Sequence, residues 1–127
     1  MLNFNSVLIG SDDPKRLISF YSKVLDKKGE WGEGQWGGFL VGHGFIIIGP
    51  HSEIKGQNPQ PGRMLINFET ADVAGEFKRI KKTGAKVIAE PYHPEQEMDM
   101  WIATFADVDG NYFQLMSPYK KITFASI

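Results

Sequence analysis

The sequence predicts an α+β fold in which two βαβββ modules form a curved mixed sheet around a central cleft. The first observation is a repeated order of elements: a strand, a capped helix, and then two or three strands joined by tight turns. The second is an apolar stripe at helical spacing in both helices, which needs a sheet surface to cover it. The third is the stretch 107–118, where an Asp-Gly turn precedes a strand with two different faces. Phe113 and Leu115 are predicted to lie on the core face, and Tyr112, Gln114 and Met116 on the other.

Length and composition predict one globular domain over residues 1–127. A net charge of −1 gives no basic surface for a phosphate backbone, so we expect no nucleic-acid partner. The chain has no cysteine, which excludes disulfides, thiolate metal sites and cysteine nucleophiles. No segment reaches membrane-spanning length and the first residues do not resemble a signal peptide, so we expect a cytoplasmic protein without a membrane partner.

Module one covers about residues 2–50, and its first strand is predicted at residues 4–9. Asp13-Pro14 marks the start of the first helix, because aspartate caps helices and proline suits the first helical position. The glycine-rich segment that follows predicts short strands, with Gly42-His43-Gly44 as a hairpin turn. The buried helical stripe consists of Leu17, Ile18, Tyr21, Val24 and Leu25.

Residues 51–62 lack periodicity and are predicted to be a linker or a mobile loop. Module two, about residues 63–118, begins with an alternating strand through Met64, Ile66 and Phe68. Asp72 then caps a second helix that ends before Gly84 and buries one apolar stripe. Further strands are predicted at residues 86–89, 100–105 and 111–116, and residues 119–127 form a tail. The stripe of the second helix consists of Val73, Phe77 and Ile80.

Two motifs identify a resemblance to a known family. The first helix opens with S-D-D-P-K-R-L-I-S-F-Y, and the last hairpin closes with D-V-D-G-N-Y-F-Q-L. With the repeated βαβββ order, they make residues 2–118 resemble the vicinal oxygen chelate superfamily, which includes glyoxalases, bleomycin-resistance proteins and extradiol dioxygenases. The resemblance implies paired modules with a central cavity that is often completed by dimerisation, so we expect a homodimer.

The resemblance also implies four metal-ligand positions, which metal-dependent members fill with imidazoles and carboxylates. In this chain they fall on Asn5, near residues 48–49, on Leu65 and on Gln114, and none carries either group. Divalent cations held by oxygen prefer carboxylates, and softer ones prefer imidazole. We therefore expect no metal at the inherited site and no cofactor, with a divalent metal as the alternative.

The polar and aromatic residues predicted to face the cleft suit a small-molecule ligand. Trp31 and Trp36 lie in a polar, glycine-rich segment that is unsuited to core tryptophans. Indole faces beside amides fit a planar or cationic molecule, although exposed tryptophans also serve dimer interfaces. The predicted ligand-binding residues are Asn5, Trp31, Trp36, Leu65, Asn67, Trp101, Tyr112, Gln114 and Met116.

The first functional hypothesis is a metal-free small-molecule binding protein of the bleomycin-resistance type. The alternative is a glyoxalase-like lyase or isomerase, or a dioxygenase, with relocated metal ligands or a metal-free acid–base pair, so the sequence does not decide whether the protein is an enzyme. Candidates for a relocated metal site are His51, His93 and Glu95, for which solvent exposure is the simpler interpretation. A third hypothesis, an interaction module without a ligand, predicts a closed cavity.

Overall fold

The computed structural model of the chain describes residues 1–95 and 99–118. The predicted tail at residues 119–127 lies outside this part of the chain. The described residues form two compact units that each contain one helix and one four-stranded sheet, which confirms the α+β fold with paired modules. Unit one comprises Met1–Pro59 and Asp107–Gly110, and unit two comprises Gln60–Ala106 and the described residues from Asn111 onward.

The sheet of unit one has the strand order β1-β4-β3-β2, in which β1 is parallel to β4 and the other neighbours are antiparallel. Strand β1 begins three residues later than the apolar pattern predicted, because its ladder with β4 starts at the pair Val7–Ile46. The elements are β1 (Val7–Gly10), α1 (Pro14–Leu25), β2 (Trp31–Glu33), β3 (Trp36–Val41) and β4 (Gly44–Gly49).

Helix α1 begins and ends as its sequence predicts. The side chain of Asp13 accepts a hydrogen bond of 3.3 Å from the backbone N–H of Arg16, and Pro14 occupies the first turn. Asp26 adopts the left-handed conformation that ends the helix. The helix buries one face against the sheet, and the buried side chains of the unit-one core include Leu17, Tyr21, Val24, Phe39 and Ile48.

The sheet of unit two repeats the pattern with the order β5-β8-β7-β6, in which β5 is parallel to β8. The carboxylate of Asp72 caps α2 by accepting a hydrogen bond of 2.9 Å from the N–H of Gly75. The predicted stripe of α2 is buried. The elements are β5 (Ile66–Glu69), α2 (Val73–Lys82), β6 (Lys86–Tyr92), β7 (Ile102–Ala106) and β8 (Tyr112–Met116).

A row of aromatic rings forms the centre of the unit-two core. Phe105 lies between Phe77 of α2 and Phe113 of β8, with ring centroids 5.2 Å and 5.5 Å away and the rings stacked in both pairs. Phe68 of β5 meets Phe113 edge-on at 5.9 Å. This row fixes which side of the sheet is turned towards α2, and it therefore defines the opposite side as well.

Several strand boundaries in unit two differ from the sequence prediction, and β7 begins at Ile102 where residue 100 was predicted. Met64 lies before β5 and is 80% exposed, so it is not part of the predicted alternating strand. Strand β6 continues through Pro91, where we predicted a loop, because its ladder with β7 shifts register on either side of Ala89. Such irregularities accommodate a proline that cannot donate to the ladder. Neither of the described helices is long and apolar enough to cross a membrane.

Candidate functional site

The side of the unit-two sheet turned away from α2 carries polar side chains. Phe113 and Leu115 are buried on the helix side, so the alternation of β8 places Tyr112, Gln114 and Met116 on the opposite side, where all three are half-buried. This arrangement agrees with the two faces predicted for the stretch 111–116. Gln114 lies at the middle of β8 on this side of the sheet, next to residues of both adjacent strands.

Gln114 is held by a cross-strand partner that the sequence analysis did not single out. The residues paired with it are Asn67 on β5 and Thr104 on β7. Its amide Nε2 donates a hydrogen bond of 3.1 Å to Oγ1 of Thr104, a residue that is only 5% exposed. The signal was present in the chain, because the Asp109-Gly110 turn sets the register that brings position 104 opposite 114. The amide is therefore oriented by the sheet itself.

Glu69 adds a carboxylate to the same side of the sheet. It lies two residues after Asn67 on β5, both side chains are exposed, and it is paired with Met116. Alternation therefore puts Asn67, Glu69, Gln114 and Met116 on one side. We name this surface the polar band, and it consists of Asn67, Glu69, Thr104, Tyr112, Gln114 and Met116.

The polar band has the chemistry of a hydrogen-bonding surface with one negative charge. Its amides and hydroxyls can donate or accept hydrogen bonds, and Met116 and Tyr112 supply apolar area. Its single carboxylate and absence of imidazole are a poor match for a divalent cation, which binds through several anionic or imidazole ligands. Among residues 1–95 and 99–118, no three His, Asp or Glu side chains are grouped so that they could hold a metal.

The predicted tryptophans of module one lie on the other sheet. Trp31 and Trp36 are 43% and 37% exposed, on β2 and β3 of unit one. The Trp36 indole covers Gly49, where an added Cβ would overlap the ring, and Trp31 lies against Gly38. Glycine makes room for both indoles on the side of the sheet that faces away from α1. Together with the exposed Leu8 and Leu40, they form an apolar surface of unit one.

The remaining predicted residues lie at the ends of strands. Asn5 precedes β1 and is exposed, and Leu65 immediately precedes β5 and is half-buried. Trp101 precedes β7, and its ring centroid is 3.8 Å from that of His93. The backbone N–H of Trp101 donates to the hydroxyl of Ser117 at 2.9 Å. The nine predicted residues are thus divided between the two units, with Asn67, Tyr112, Gln114 and Met116 sharing the polar band.

The histidines considered for a relocated metal site have other partners. Nδ1 of His51 accepts a hydrogen bond of 3.1 Å from the N–H of Glu53, and the side chain is exposed. Nδ1 of His93 lies 2.8 Å from the carbonyl oxygen of Met100, which requires this nitrogen to carry the proton. Glu95 is exposed. A relocated metal site at these residues stays a prediction.

A buried group of polar side chains in unit one includes the turn 107–110. The Tyr21 hydroxyl donates a hydrogen bond of 2.6 Å to Oδ2 of Asp107, whose Oδ1 accepts 2.9 Å from the N–H of Asp109. Burial, followed by the charge of Asp107, raises the pKa of Tyr21 well above its usual value. Burial also raises the pKa of Asp109, although a hydrogen bond from Ser11 opposes the shift. We name Ser11, Tyr21, Asp107 and Asp109 the buried clasp.

The comparisons with known proteins identify the family. The model of the glyoxalase-like domain family matches residues 6–116. The chain therefore belongs to the glyoxalase-like domain family, and the resemblance to the vicinal oxygen chelate superfamily is confirmed.

Solved structures with the same fold cover almost the whole chain. One described as a conserved domain protein matches with a TM-score of 0.77 and 19% identity, covering 93% of this chain and 100% of that chain. The genomically encoded fosfomycin resistance protein FosX from Listeria monocytogenes gives 0.73 and 16%, with coverage of 95% and 97%. A glyoxalase-related enzyme from Fulvimarina pelagi gives 0.74 and 14%, with 92% and 89%. At these identities, the similarity shows the fold alone.

A curated relative shares more sequence over a shorter stretch. An uncharacterized protein from Mycolicibacterium smegmatis is 34% identical over 64 residues, which are 50% of this chain and 53% of that protein. The match thus spans about half the length of this relative.

Proposed function

We propose that this glyoxalase-like protein binds a small organic molecule at the polar band of unit two and that it does so without a metal. The observation that carries the proposal is the orientation of Gln114, whose amide is hydrogen-bonded to Thr104 and lies beside Asn67. Ligand sites combine apolar area with a few polar groups of fixed direction. The polar band has both, since Tyr112 and Met116 flank Gln114 along β8.

The charge and the side-chain types of this surface favour one class of ligand. Glu69 is the one charged side chain of the polar band, and Lys86 lies on the same side of the sheet at the opposite end, beside Ala106 and Tyr112. A positive charge on the ligand would therefore be favoured at the Glu69 end. The thioether of Met116 and the ring of Tyr112 favour flat, polarizable molecules. A planar cation therefore fits the surface better than a planar anion of the same size.

We propose that the family's metal is absent because of the side chains that occupy the four metal-ligand positions. Gln114 stands where the resemblance implies a carboxylate, and its amide already bonds to Thr104. A neutral amide contributes no charge to offset the dehydration of a divalent cation. Binding should therefore survive exhaustive dialysis against a chelator, and stoichiometric zinc, nickel, manganese or iron in the purified protein would contradict this part of the proposal.

The test uses proflavine, a planar cation, against 2-naphthol and 2-naphthoate as neutral and anionic comparators. Calorimetric titration of the full chain should give saturable binding with proflavine bound most tightly. Gln114→Leu should weaken proflavine binding by about fivefold, because a buried hydrogen bond is worth about 1 kcal/mol. Gln35→Leu, in the exposed turn between β2 and β3, is the matched control and should bind as the parent does. Equal affinity of the two variants, or no saturable binding of any probe, would refute the proposal.

A second function, metal-free proton transfer, is favoured by the exposed carboxylate of Glu69 on the same surface as Gln114. A carboxylate beside a hydrogen-bond donor is the arrangement for removing a proton next to a carbonyl group. Deuterium exchange into the methyl group of pyruvate, followed by proton NMR in deuterated water, would detect it. We expect Glu69→Gln to abolish any catalysed exchange; exchange that persists in this variant argues against the second function.

We also propose a homodimer in which a second copy covers the apolar surface of Leu8, Trp31, Trp36 and Leu40 on unit one. The support is the exposure of four large apolar side chains on one sheet side. Light scattering after size exclusion should give twice the chain mass, and Leu40→Lys should shift the protein towards the monomer. A parent protein that is monomeric at high concentration would contradict this. The cytoplasmic location stays a prediction.

A further inference from the structure

An open groove of about 470 Å³ runs along α1 in unit one, and its lining residues are distant in sequence from those of the polar band. It is lined by residues along one side of α1 and by Gly29, Gly34 and Trp36, and the two glycines have no side chains to fill the space. Gly34 has a φ of 60°, and a Cβ added there would meet nothing within 4 Å. At the neighbouring Gly37, a Cβ would lie 2.8 Å from Ile18. Glycine therefore both opens the groove and sets how closely α1 approaches β3.

The charge in this groove is of one sign. Lys15, Lys23 and Lys28 line it, and no acidic residue does. Lys27 has other partners, because its ammonium group forms an ion pair with Glu30 and donates a hydrogen bond to the carbonyl oxygen of Leu40. Within residues 1–95 and 99–118, Lys15 and Lys28 have no ion pair. An anion in the groove would be attracted by several ammonium groups at once.

Hydroxyl groups lie between the lysines along the helix. Ser19 is one turn after Lys15 and one turn before Lys23 on the same side of α1, and its side chain is exposed. Lys15 precedes Ser19 by four residues, or about 6 Å along the axis, so its flexible side chain can reach a group bound near Ser19. The hydroxyl of Ser22 is already used, since it donates to the carbonyl of Lys27 at 2.6 Å.

We propose that this groove binds the phosphate of a small phosphomonoester. A compact dianion with several acceptor oxygens matches converging ammonium groups and the Ser19 hydroxyl better than a flat monoanionic carboxylate does. Ile18 provides an apolar contact for the organic part of the ester. This site lies on unit one and does not depend on the function proposed for the polar band.

The test is a titration of the ¹⁵N-labelled full chain with phenyl phosphate, followed by amide chemical shifts. We expect saturable shifts at residues 15–23 and at Gly34, with phenol inactive and benzoate several-fold weaker. The double variant Lys15→Gln, Lys28→Gln should bind about tenfold more weakly, a change of about 1.4 kcal/mol, because it removes two of the ammonium groups that line the groove. The matched control, Lys78→Gln with Lys82→Gln on α2, removes the same charge and should leave the affinity unchanged. Ser19→Asp, which puts a carboxylate at the centre of the groove, is an independent variant that should abolish binding.

Three results would overturn the proposal. They are shifts that spread equally over the lysines of α2, an equal loss of affinity in the α2 control variant, and benzoate binding as tightly as phenyl phosphate. Salt gives a further criterion, because an electrostatic site should weaken as ionic strength rises from about 20 mM to about 200 mM. Binding of phenyl phosphate that is indifferent to salt would show that the lysines do not carry it.

Discussion

The hydroxyl of Tyr21 in α1 donates a 2.6 Å hydrogen bond to the carboxylate of Asp107, a residue 86 positions further along the chain. Both side chains are buried, and the other carboxylate oxygen of Asp107 accepts the N–H of Asp109. The bond therefore ties the turn 107–110 to α1 within unit one. A hydrogen bond to a charged group at a buried position contributes more to stability than one between neutral groups.

Removal of the Tyr21 hydroxyl should lower the stability of the protein. Tyr21→Phe keeps the ring but removes the donor, and we expect the free energy of unfolding in urea to fall by about 1.5–3 kcal/mol. Tyr92→Phe is the matched control, because Tyr92 is exposed and should tolerate the same change within about 0.5 kcal/mol. Equal effects of the two substitutions would show that the clasp does not stabilise the fold.

Alkaline pH should test the same bond by another route. Because burial raises the pKa of Tyr21 above that of an unfolded tyrosine, the folded state holds this proton more tightly than the unfolded state does. Stability should therefore fall as pH rises beyond about 10, the ordinary tyrosine pKa. The slope of unfolding free energy against pH in this range should be shallower in Tyr21→Phe than in the parent. A parallel slope in both proteins would contradict the prediction.

Asp109 should make the opposite contribution to that of an aspartate whose charge is stabilised in the folded state. Its pKa is raised by burial, so its protonated form is favoured in the folded state. The resulting stabilisation is fully present below about pH 3.9, the ordinary aspartate pKa, and is lost as pH rises through the folded-state pKa. Relative to Asp109→Asn, the parent should therefore gain stability as the solution is acidified. Unfolding curves at a series of pH values measure this difference. A parent whose stability relative to Asp109→Asn falls on acidification would disprove the prediction.

Thr104 should support both the sheet and the proposed ligand surface. Thr104→Val is nearly isosteric and removes the acceptor for the Gln114 amide, so we expect a loss of about 0.5–1.5 kcal/mol in stability. It should also weaken proflavine binding, because the freed amide can rotate away from its oriented position. Thr83→Val, at the end of α2 and away from this surface, is the control and should leave the affinity unchanged. Unaltered binding by Thr104→Val would show that the orientation of Gln114 is not needed.

Gly49 should be intolerant of even one methyl group. A Cβ at this position would overlap the Trp36 indole, so Gly49→Ala must displace the ring and should cost about 1–3 kcal/mol. Gly62→Ala is the matched control, because nothing lies within 4 Å of its added Cβ. The displacement should also change the tryptophan emission of the folded protein. A stable variant with unchanged emission would mean that the indole does not rest on Gly49.

Features that depend on near neighbours in the chain were predictable. The caps at Asp13 and Asp72 and the buried stripe of α2 follow from local patterns. The predicted stripe of α1 is only partly buried, because Ile18 and Leu25 are half-buried. The strand boundaries at Val7 and Tyr92 were missed, because they depend on where a ladder partner begins and where it shifts register. The environments of Asp107 and Asp109 were missed for a similar reason, since a turn dipeptide carries no sign that distant groups will bury it.

The sequence by itself determined the order of the elements and the two faces of the last strand, because its apolar residues recur with the periods of a helix, 3.6 residues, and of a strand, 2 residues. It placed Gln114 on the side opposite Phe113 and Leu115. Only the tertiary structure decided that Thr104 would hold its amide, that the Trp101 indole would lie on His93, and that Tyr21 would reach Asp107. These contacts depend on strand register and on the packing of helix against sheet, which join residues of different elements, and the period of a single element does not specify them.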